Sequence, residues 1–274
     1  MSFNLQGPLL LAGAGQMGGA ILARLLAYGL DPRVVLVQDP GPPKPIADLL
    51  ADQAIDVLPF IDELDAPPAV ILLAVKPQMM DEVLPPLAKL AGPETLVLSI
   101  AAGRRIAGLE KHFAEPAAIV RAMPNTPAAI GRGVTVAVAN ARVSPAQRAL
   151  ADTLLSAVGD VLWVEDEALL DAVTAVSGSG PAYVFLLAEC LAEAGRAAGL
   201  DAVLAERLAR ATVTGSAALM EQSDVPFSVL RENVTSPGGT TAAALEILRA
   251  PDGLQELMTA AVAAAKKRGR DLAK

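Results

Sequence analysis

The motif Gly13-x-Gly15-x-x-Gly18, in the stretch "LLLAGAGQMGGA" (residues 9–20), constrains the fold most strongly. An apolar run precedes it, the amphipathic stretch "QMGGAILARLLAYG" follows, and a second apolar run, "RVVLVQD", ends at Asp39. In a strand–turn–helix–strand unit, the first glycine permits a tight turn and the second lets the backbone approach a pyrophosphate. The third permits close helix–sheet packing. The context therefore favours dinucleotide binding over the alternative, a glycine-rich turn without a ligand.

Short apolar runs alternate with helix-like segments through the first half of the chain. Most of the runs are aliphatic throughout, which is typical of strands covered on both faces. They are "PLLLAGAG", "RVVLVQD", "AVILLAV", "TLVLSIA", "AAIVRAM" and "VTVAVAN". This rhythm predicts an α/β fold with a parallel or mostly parallel sheet. From about residue 165 the pattern is helical, so we predict a Rossmann-type dinucleotide-binding domain over residues 1–164 and an all-helical domain over residues 165–274.

Composition narrows the range of partners. The chain is 53% hydrophobic but only 3% aromatic, so it offers little surface for stacking single-stranded nucleic acid. Its formal net charge of −8 disfavours binding to nucleic acids and to anionic membranes. No apolar run approaches the length of about 18 residues that a membrane-spanning helix needs. Cys190 is the single cysteine, which we expect to be a small buried helix residue. We expect a cytoplasmic protein that binds neither nucleic acid nor membrane.

Several helices of the second half are apolar around most of their circumference, for example in "PAYVFLLAECLAEAGRAAG" (181–199). Such helices lie deep in a core or against another subunit. A domain of about 110 residues has little room to bury them all. We therefore expect the chain to associate with itself.

The choice between NAD and NADP stays open at this point. Asp39 follows the second strand and could accept a hydrogen bond from the ribose 2′-OH, which favours NAD. Lys44, five residues further on, could instead pair with the 2′-phosphate of NADP. Asp39 could also be only a turn residue before Pro40.

Few proton donors are available for a reduction. The only histidine, His112, lies in "LEKHF" on a helix predicted to face solvent, and lysine is absent between Lys111 and Lys266. Reduction of a ketone usually needs a positioned acid, whereas a protonated imine loses its charge as hydride arrives. Hydroxyl groups that orient the nitrogen are sufficient for an imine, although Tyr183 or an acidic residue remains an alternative. The hydroxyl candidates are Ser177, Ser179, Ser236, Thr240 and Thr241. We expect no bound metal.

Five motifs, in this order and spacing, resemble the pyrroline-5-carboxylate reductase family. They are "AGAGQMGGAI", "AVKPQ", "MPNTPAAIGRGVT", "SGSGPAYVF" and "VTSPGGTTAAAL", and the resemblance spans about residues 9–267. It implies a Rossmann-type domain followed by an all-helical dimerisation domain, like the C-terminal domain of 6-phosphogluconate dehydrogenase. The implied reaction is reduction of Δ1-pyrroline-5-carboxylate to L-proline by NADPH, with NADH as an alternative. The implied assembly is a homodimer, and higher assemblies of dimers are compatible with the resemblance.

The resemblance assigns the substrate to the loop "SPGGTT" (236–241). Ser236 and the N–H groups around Gly238, Gly239 and Thr240 would hold the substrate carboxylate before a helix N-terminus, a position that favours an anion. Thr241 would hydrogen-bond the ring nitrogen and is the implied catalytic residue. Taken alone, the stretch could be a Gly-Gly turn with capping threonines.

The resemblance also assigns the cofactor groove. Besides the three glycines it includes Gln16 and Met17, and Gln16 occupies a loop position where the family often has asparagine. The remaining groove residues follow predicted strands, and they are Ala74, Val75, Lys76, Pro77 and Asn125. Lys76 could equally be a surface lysine, and Asn125 could form an Asx-type turn before Pro127.

Two other functions compete with this one. A β-hydroxyacid dehydrogenase shares the domain order, but resemblance to that family would require a lysine in the helical domain, and residues 112–265 contain none. A cofactor-binding protein without catalysis would be expected to lose the substrate loop, yet "SPGGTT" is intact.

Overall fold

The structure is a computed structural model that describes residue 3 and residues 5–272. It divides into two compact units. The first contains residues 1–178 and 266–274, and the second contains residues 179–265. The first is built around a sheet and the second is helical, which confirms the predicted α/β class with an all-helical second part.

The strands of the first unit are β1 (Leu9–Ala12), β2 (Val35–Gln38), β3 (Val57–Leu58), β4 (Val70–Leu73), β5 (Leu96–Ser99), β6 (Ala118–Met123), β7 (Gly133–Ala139) and β8 (Gly159–Trp163). Six of these eight described strands coincide with the apolar runs of the sequence, and β3 and β8 do not. In the described residues the eight strands form one sheet in the order β3-β2-β1-β4-β5-β6-β7-β8. All neighbouring pairs are parallel except β6 and β7. The prediction of a mostly parallel sheet is confirmed.

Alternate residues of each central strand face opposite layers of the core. Leu9 and Leu11 belong to one buried cluster, whereas Leu10 and Ala12 belong to the other. Helices cover both faces, so every residue of β1, β4 and β5 is buried. This is why these strands are aliphatic throughout instead of alternating with polar residues.

The helices of the first unit follow the strands. They are α1 (Gln16–Ala27), α2 (Lys44–Asp52), α3 (Met80–Leu90), α4 (Ile106–Glu110), α5 (Pro145–Ser156) and α6 (Leu170–Val173). A π-helical turn, Thr174–Gly178, continues directly from α6.

The second unit is helical. Its elements are α7 (Gly180–Ala197), α8 (Ala202–Glu221), α9 (Phe227–Asn233), α10 (Thr240–Leu248) and the first part of α11 (Leu254–Leu272). The predicted ends are present, since Asp201 caps α8 through the N–H groups of Val203 and Leu204, and Gly199 has a φ of +101° after α7. Many large apolar side chains of this unit are exposed in the single chain, including Phe185 at 68% and Phe227 at 75%.

One helical segment differs from the sequence expectation. The stretch Glu167–Ala197 is long and apolar enough to cross a membrane by length and composition alone, although serines and glycines break it into shorter apolar runs. This is weak evidence for a span, because helices of soluble proteins pass the same test. Cys190, which we expected to be buried, is exposed on this segment in the single chain.

Replacing Gly159 by alanine tests the pairing of β7 with β8. Gly159 has a φ of +137°, and a Cβ atom there would lie 1.9 Å from the carbonyl oxygen of Gly133. Backbone strain and this clash together should lower the free energy of unfolding by about 2 kcal/mol. Urea unfolding followed by circular dichroism measures the change.

Gly29→Ala is the matched control, because Gly29 also has a positive φ, +93°, but nothing lies within 4 Å of its Cβ position. We expect it to lose only the backbone contribution, about 1 kcal/mol. Equal losses in the two variants would contradict the close approach of β7 and β8.

Candidate functional site

The predicted cofactor residues lie at the carboxyl edge of the sheet, around β1 and β4. From β1 the chain proceeds to β2 and β3 on one side, whereas β4 and β5 lie on the other side. This reversal of strand order opens a crevice outside the carboxyl ends of β1 and β4, the usual ligand position in such sheets. The loops after β1, β2, β4 and β6, together with the first turn of α1, carry all of the residues predicted to bind a cofactor.

Two glycines of the motif are required by backbone packing. Gly13 has a φ of +94°, and a Cβ there would lie 2.8 Å from the Ala74 carbonyl group. A Cβ on Gly18 would lie 2.1 Å from the Gly13 carbonyl oxygen and 2.8 Å from the Ala74 Cβ. These glycines therefore bring α1, the loop after β1 and the loop after β4 into direct contact.

Gly15 has a different environment. Nothing lies within 4 Å of its Cβ position, so the backbone there faces open space. It is the N-cap of α1 and makes no side-chain capping bond, which leaves the first-turn N–H groups directed beyond the helix end. Gln16, predicted to occupy a loop position, is instead the first residue of α1 and is exposed, and Met17 is the second. An open, uncapped helix N-terminus of this kind can bind a phosphate.

Asp39 braces the glycine loop. Its carboxylate accepts hydrogen bonds from the N–H groups of Ala14 (2.7 Å) and Gly41 (2.8 Å). Lys44 is the first residue of α2, and its Nζ lies 2.9 Å from the exposed carboxylate of Asp48. Asp39 and Lys44, the two candidates for recognising the ribose or its 2′-phosphate, therefore already have hydrogen-bond or ion-pair partners within the chain.

The loop after β4 contains four predicted cofactor residues. Ala74 contacts the glycine loop, and its N–H donates to the carbonyl of Ala12 at 2.8 Å. Val75 is half-buried, Lys76 is exposed, and Pro77 begins a short 3-10 turn that leads into α3. The structure thus brings these residues together with the glycine motif.

Asn125, which follows β6, is buried, and its Oδ1 accepts a hydrogen bond from the N–H of Val134 at 3.0 Å. The side chain thus holds the start of β7. The amide nitrogen and the second lone pair of Oδ1 are the groups of Asn125 that could contact a cofactor.

The predicted substrate loop lies in the helical unit. Gly238 has a φ of +68°, and the N–H of Gly239 donates to the carbonyl of Ser236 at 3.0 Å, which closes a turn. Gly239 is then the N-cap of α10 and makes no side-chain capping bond. Thr240 and Thr241 occupy the first two helical positions, where N–H groups have no partner within the helix. The loop and the helix end together can bind an anion.

Several polar residues escaped the sequence analysis. Arg121, in the apolar run "AAIVRAM", is 5% exposed and donates to Glu167 at 2.8 Å. Asp171 is also buried and lies 3.5 Å from Arg270. Arg121 and Asp171 line a cavity of about 140 Å³ at the sheet edge, together with Gln78 and Thr174. The sequence signal for Arg121 was a charged residue within an aliphatic strand, because a buried charge needs a buried partner.

Ser177, one of the candidate hydroxyl residues, lies in the π-helical turn. Its Oγ is buried and has no hydrogen-bond partner among the described residues. The described residues also contain no group of three or more histidine, cysteine, aspartate or glutamate side chains arranged to hold a metal ion.

Comparison with known families and proteins extends these observations. The family described as pyrroline-5-carboxylate reductase dimerisation matches residues 167–272, and the family described as NADP oxidoreductase, coenzyme F420-dependent, matches residues 9–103. A pyrroline-5-carboxylate reductase of Pseudomonas aeruginosa is 44% identical over 261 residues, which cover 95% of each chain. One from Synechocystis is 43% identical and covers 96% of this chain and 97% of its own.

Solved structures give the same result. A pyrroline-5-carboxylate reductase from Coxiella burnetii superposes with a TM-score of 0.89 at 34% identity, covering 98% of this chain and 99% of its own. A Plasmodium falciparum pyrroline carboxylate reductase with NADP bound superposes with a TM-score of 0.84 at 28% identity, and each chain is covered completely, at 100%. The similarity extends over both units.

Proposed function

The chain belongs to the pyrroline-5-carboxylate reductase family, and on this premise we propose that it reduces Δ1-pyrroline-5-carboxylate to L-proline with NADP(H), the final step of proline biosynthesis. The observation that carries the proposal is the 44% identity to a named reductase over 95% of both chains. The β-hydroxyacid dehydrogenase alternative would need a lysine in the helical domain, and residues 112–265 contain none.

The cofactor half of the site fits a dinucleotide. The N–H groups at the start of α1 would hold the pyrophosphate, and the open space at Gly15 would admit it. The loop from Ala74 to Pro77 and the amide of Asn125 would border the nicotinamide side. The bound, reduced nicotinamide would supply hydride. NADP is the cofactor named for one solved relative, and NADH remains compatible with the carboxylate of Asp39.

The substrate half fits an α-carboxylate. Ser236 and the backbone around Gly238 and Gly239 would surround the carboxylate, as the resemblance implies. The N–H of Gly239 is already used in the turn, so we assign the helix-end bonds to the N–H groups of Thr240 and Thr241. Charge-assisted bonds at a helix N-terminus are each stabilised by the helix dipole.

Thr241 is the residue that we propose to act on the reacting nitrogen. Its Oγ1 would accept a hydrogen bond from the N–H of the protonated imine. This bond would fix which face of the ring is presented to the hydride donor. As hydride bonds to the C=N carbon, the π electrons of the double bond become the nitrogen lone pair and the positive charge disappears. The product nitrogen keeps its proton, so a strong general acid is unnecessary at this step.

A second copy of the chain is the partner that we propose for the helical unit. We assign residues 1–164 to cofactor binding and residues 165–274 to dimerisation and substrate binding. The dimerisation family covers residues 167–272, the same region that contains exposed apolar side chains such as Phe185 and Phe227. A second helical unit would cover these side chains, including the apolar segment Glu167–Ala197, and dimers could assemble further. We place the protein in the cytoplasm.

Purified protein should oxidise NADPH in a saturable reaction that depends on pyrroline-5-carboxylate. A parallel assay with NADH measures the cofactor preference, which decides between Asp39 and Lys44 as the residue that reads the ribose. Absorbance at the nicotinamide band follows both reactions. Absence of turnover with either cofactor, in protein that demonstrably binds them, would rule out this function.

A further inference from the structure

Arg104 connects two loops at the edge of the cofactor groove. It follows β5 and Gly103, whose φ of +75° turns the chain before α4. Its Nε donates to the carbonyl oxygen of Pro77 at 2.9 Å. Its two terminal nitrogens donate to the two carboxylate oxygens of Asp81, at 3.0 and 2.7 Å. One planar side chain thus holds both the loop after β4 and the first turn of α3.

The loop after β4 needs such an anchor at its far end. Its near end is fixed, because the N–H of Ala74 donates to the end of β1 at 2.8 Å. Lys76 and Gln78 are exposed, so packing restrains the backbone less there. The Pro77 carbonyl accepts the N–H of Met80 as well as the Arg104 bond. The position of the Pro77 peptide is therefore set by α3 and by Arg104 together.

Asp81 is itself held in place. His112 lies 3.3 Å from its carboxylate, with the histidine side chain only 19% exposed. His112 is thus largely covered, contrary to the solvent-facing position predicted from the sequence. The hydrogen bond from Arg104 lowers the pKa of Asp81, with a further lowering from His112, so the carboxylate is ionised at neutral pH. The guanidinium has a fixed anionic partner on α3.

We propose that Arg104 is a positioning residue for the cofactor, which acts by clamping the Ala74–Pro77 loop through the Pro77 carbonyl and Asp81. The inference rests on the proposed function, since it concerns the dinucleotide that this loop borders. A preformed loop binds its ligand more tightly because less ordering is needed on binding. A lysine cannot replace Arg104, because a single ammonium cannot satisfy the carbonyl and both carboxylate oxygens in one plane.

The test is the Kd for NADPH, measured by fluorescence titration of the full chain. Arg104→Ala should raise this Kd by about five- to tenfold, as expected for the loss of one charge-assisted anchor. Arg104→Lys should restore only part of the affinity. Arg105→Ala removes the same charge from the neighbouring exposed residue and should leave the Kd within about twofold.

The Asp81→Asn variant distinguishes clamping of the loop by Arg104 from direct electrostatic attraction between Arg104 and the cofactor. Removing a negative charge and freeing Arg104 would, by charge alone, leave binding of an anionic cofactor unchanged or stronger. Clamping predicts the opposite, a Kd raised by about threefold or more, because the guanidinium loses its anchor on α3. The KM for pyrroline-5-carboxylate and the melting temperature should change little in either variant.

Three results would overturn the inference: an unchanged Kd in Arg104→Ala, an equal loss in Arg105→Ala, or unchanged or tighter binding in Asp81→Asn. Failure of the proposed function has a different signature, because the unmodified protein would then bind NADPH without reducing the imine.

Discussion

Replacing Thr241 by valine or alanine should lower kcat/KM for pyrroline-5-carboxylate by about 10²-fold. The hydroxyl is proposed to be the one group that orients the reacting nitrogen, and loss of a positioned hydrogen bond at a reacting centre costs about 2–3 kcal/mol of transition-state stabilisation. Valine preserves the shape of threonine, so it isolates the hydroxyl from the loss of packing. Steady-state kinetics at saturating NADPH measures the effect.

The conservative variant and the fold supply the controls. Thr241→Ser keeps the hydroxyl and should recover most of the activity. Thr241 is the second residue of α10 and alanine is a good helix former, so the alanine variant should fold normally. The Kd for NADPH should not change, because Thr241 is proposed to contact the substrate and not the cofactor. Full activity in both the valine and the alanine variants would show that Thr241 takes no part in the reaction.

The fold was predictable where hydrophobic burial alone decides the structure. The β1, β4 and β5 runs are aliphatic because helices cover both faces, and this signal is local. The two-residue strand β3 was missed, since two residues carry no pattern. β7 was predicted as a strand but its antiparallel direction was not, although only residues 124–132 separate it from β6, too few for a parallel crossover.

The polar connections of the site were less predictable. Arg121 finds Glu167 at a separation of 46 residues, and Arg104 finds Asp81 at 23, so neither pair produces a local sequence signal. Asp39 was predicted to read a ribose, but its carboxylate also braces Ala14 in the glycine loop. Such pairings depend on how loops from different strands meet at one edge of the sheet.

The three glycines of the motif have separable roles. Gly13 and Gly18 are needed by the chain itself, because a Cβ at either position would meet backbone or side-chain atoms within 2.8 Å. Gly15 is not, because its Cβ position is open. An alanine at Gly15 is compatible with its φ of −72°, so the free protein should tolerate it. Any requirement for glycine there must come from a ligand.

Gly15→Ala should therefore raise the Kd for NADPH by about 10²-fold while the melting temperature stays within about 1 °C of the original. The added methyl group would occupy the space through which the pyrophosphate approaches the N–H groups of α1, and losing one or two charge-assisted hydrogen bonds costs about 3 kcal/mol. Isothermal titration calorimetry gives the Kd, and differential scanning calorimetry gives the stability.

Two other glycine variants serve as controls for this measurement. Gly108→Ala lies in α4 with nothing within 4 Å of the Cβ position, so neither binding nor stability should fall. Gly18→Ala should lose binding and stability together, because its Cβ would lie 2.1 Å from a carbonyl oxygen. If Gly15→Ala binds NADPH normally, the open space at Gly15 is not the pyrophosphate site. If it loses stability as Gly18→Ala does, the glycine serves the fold and the motif gives no evidence for a ligand at that position.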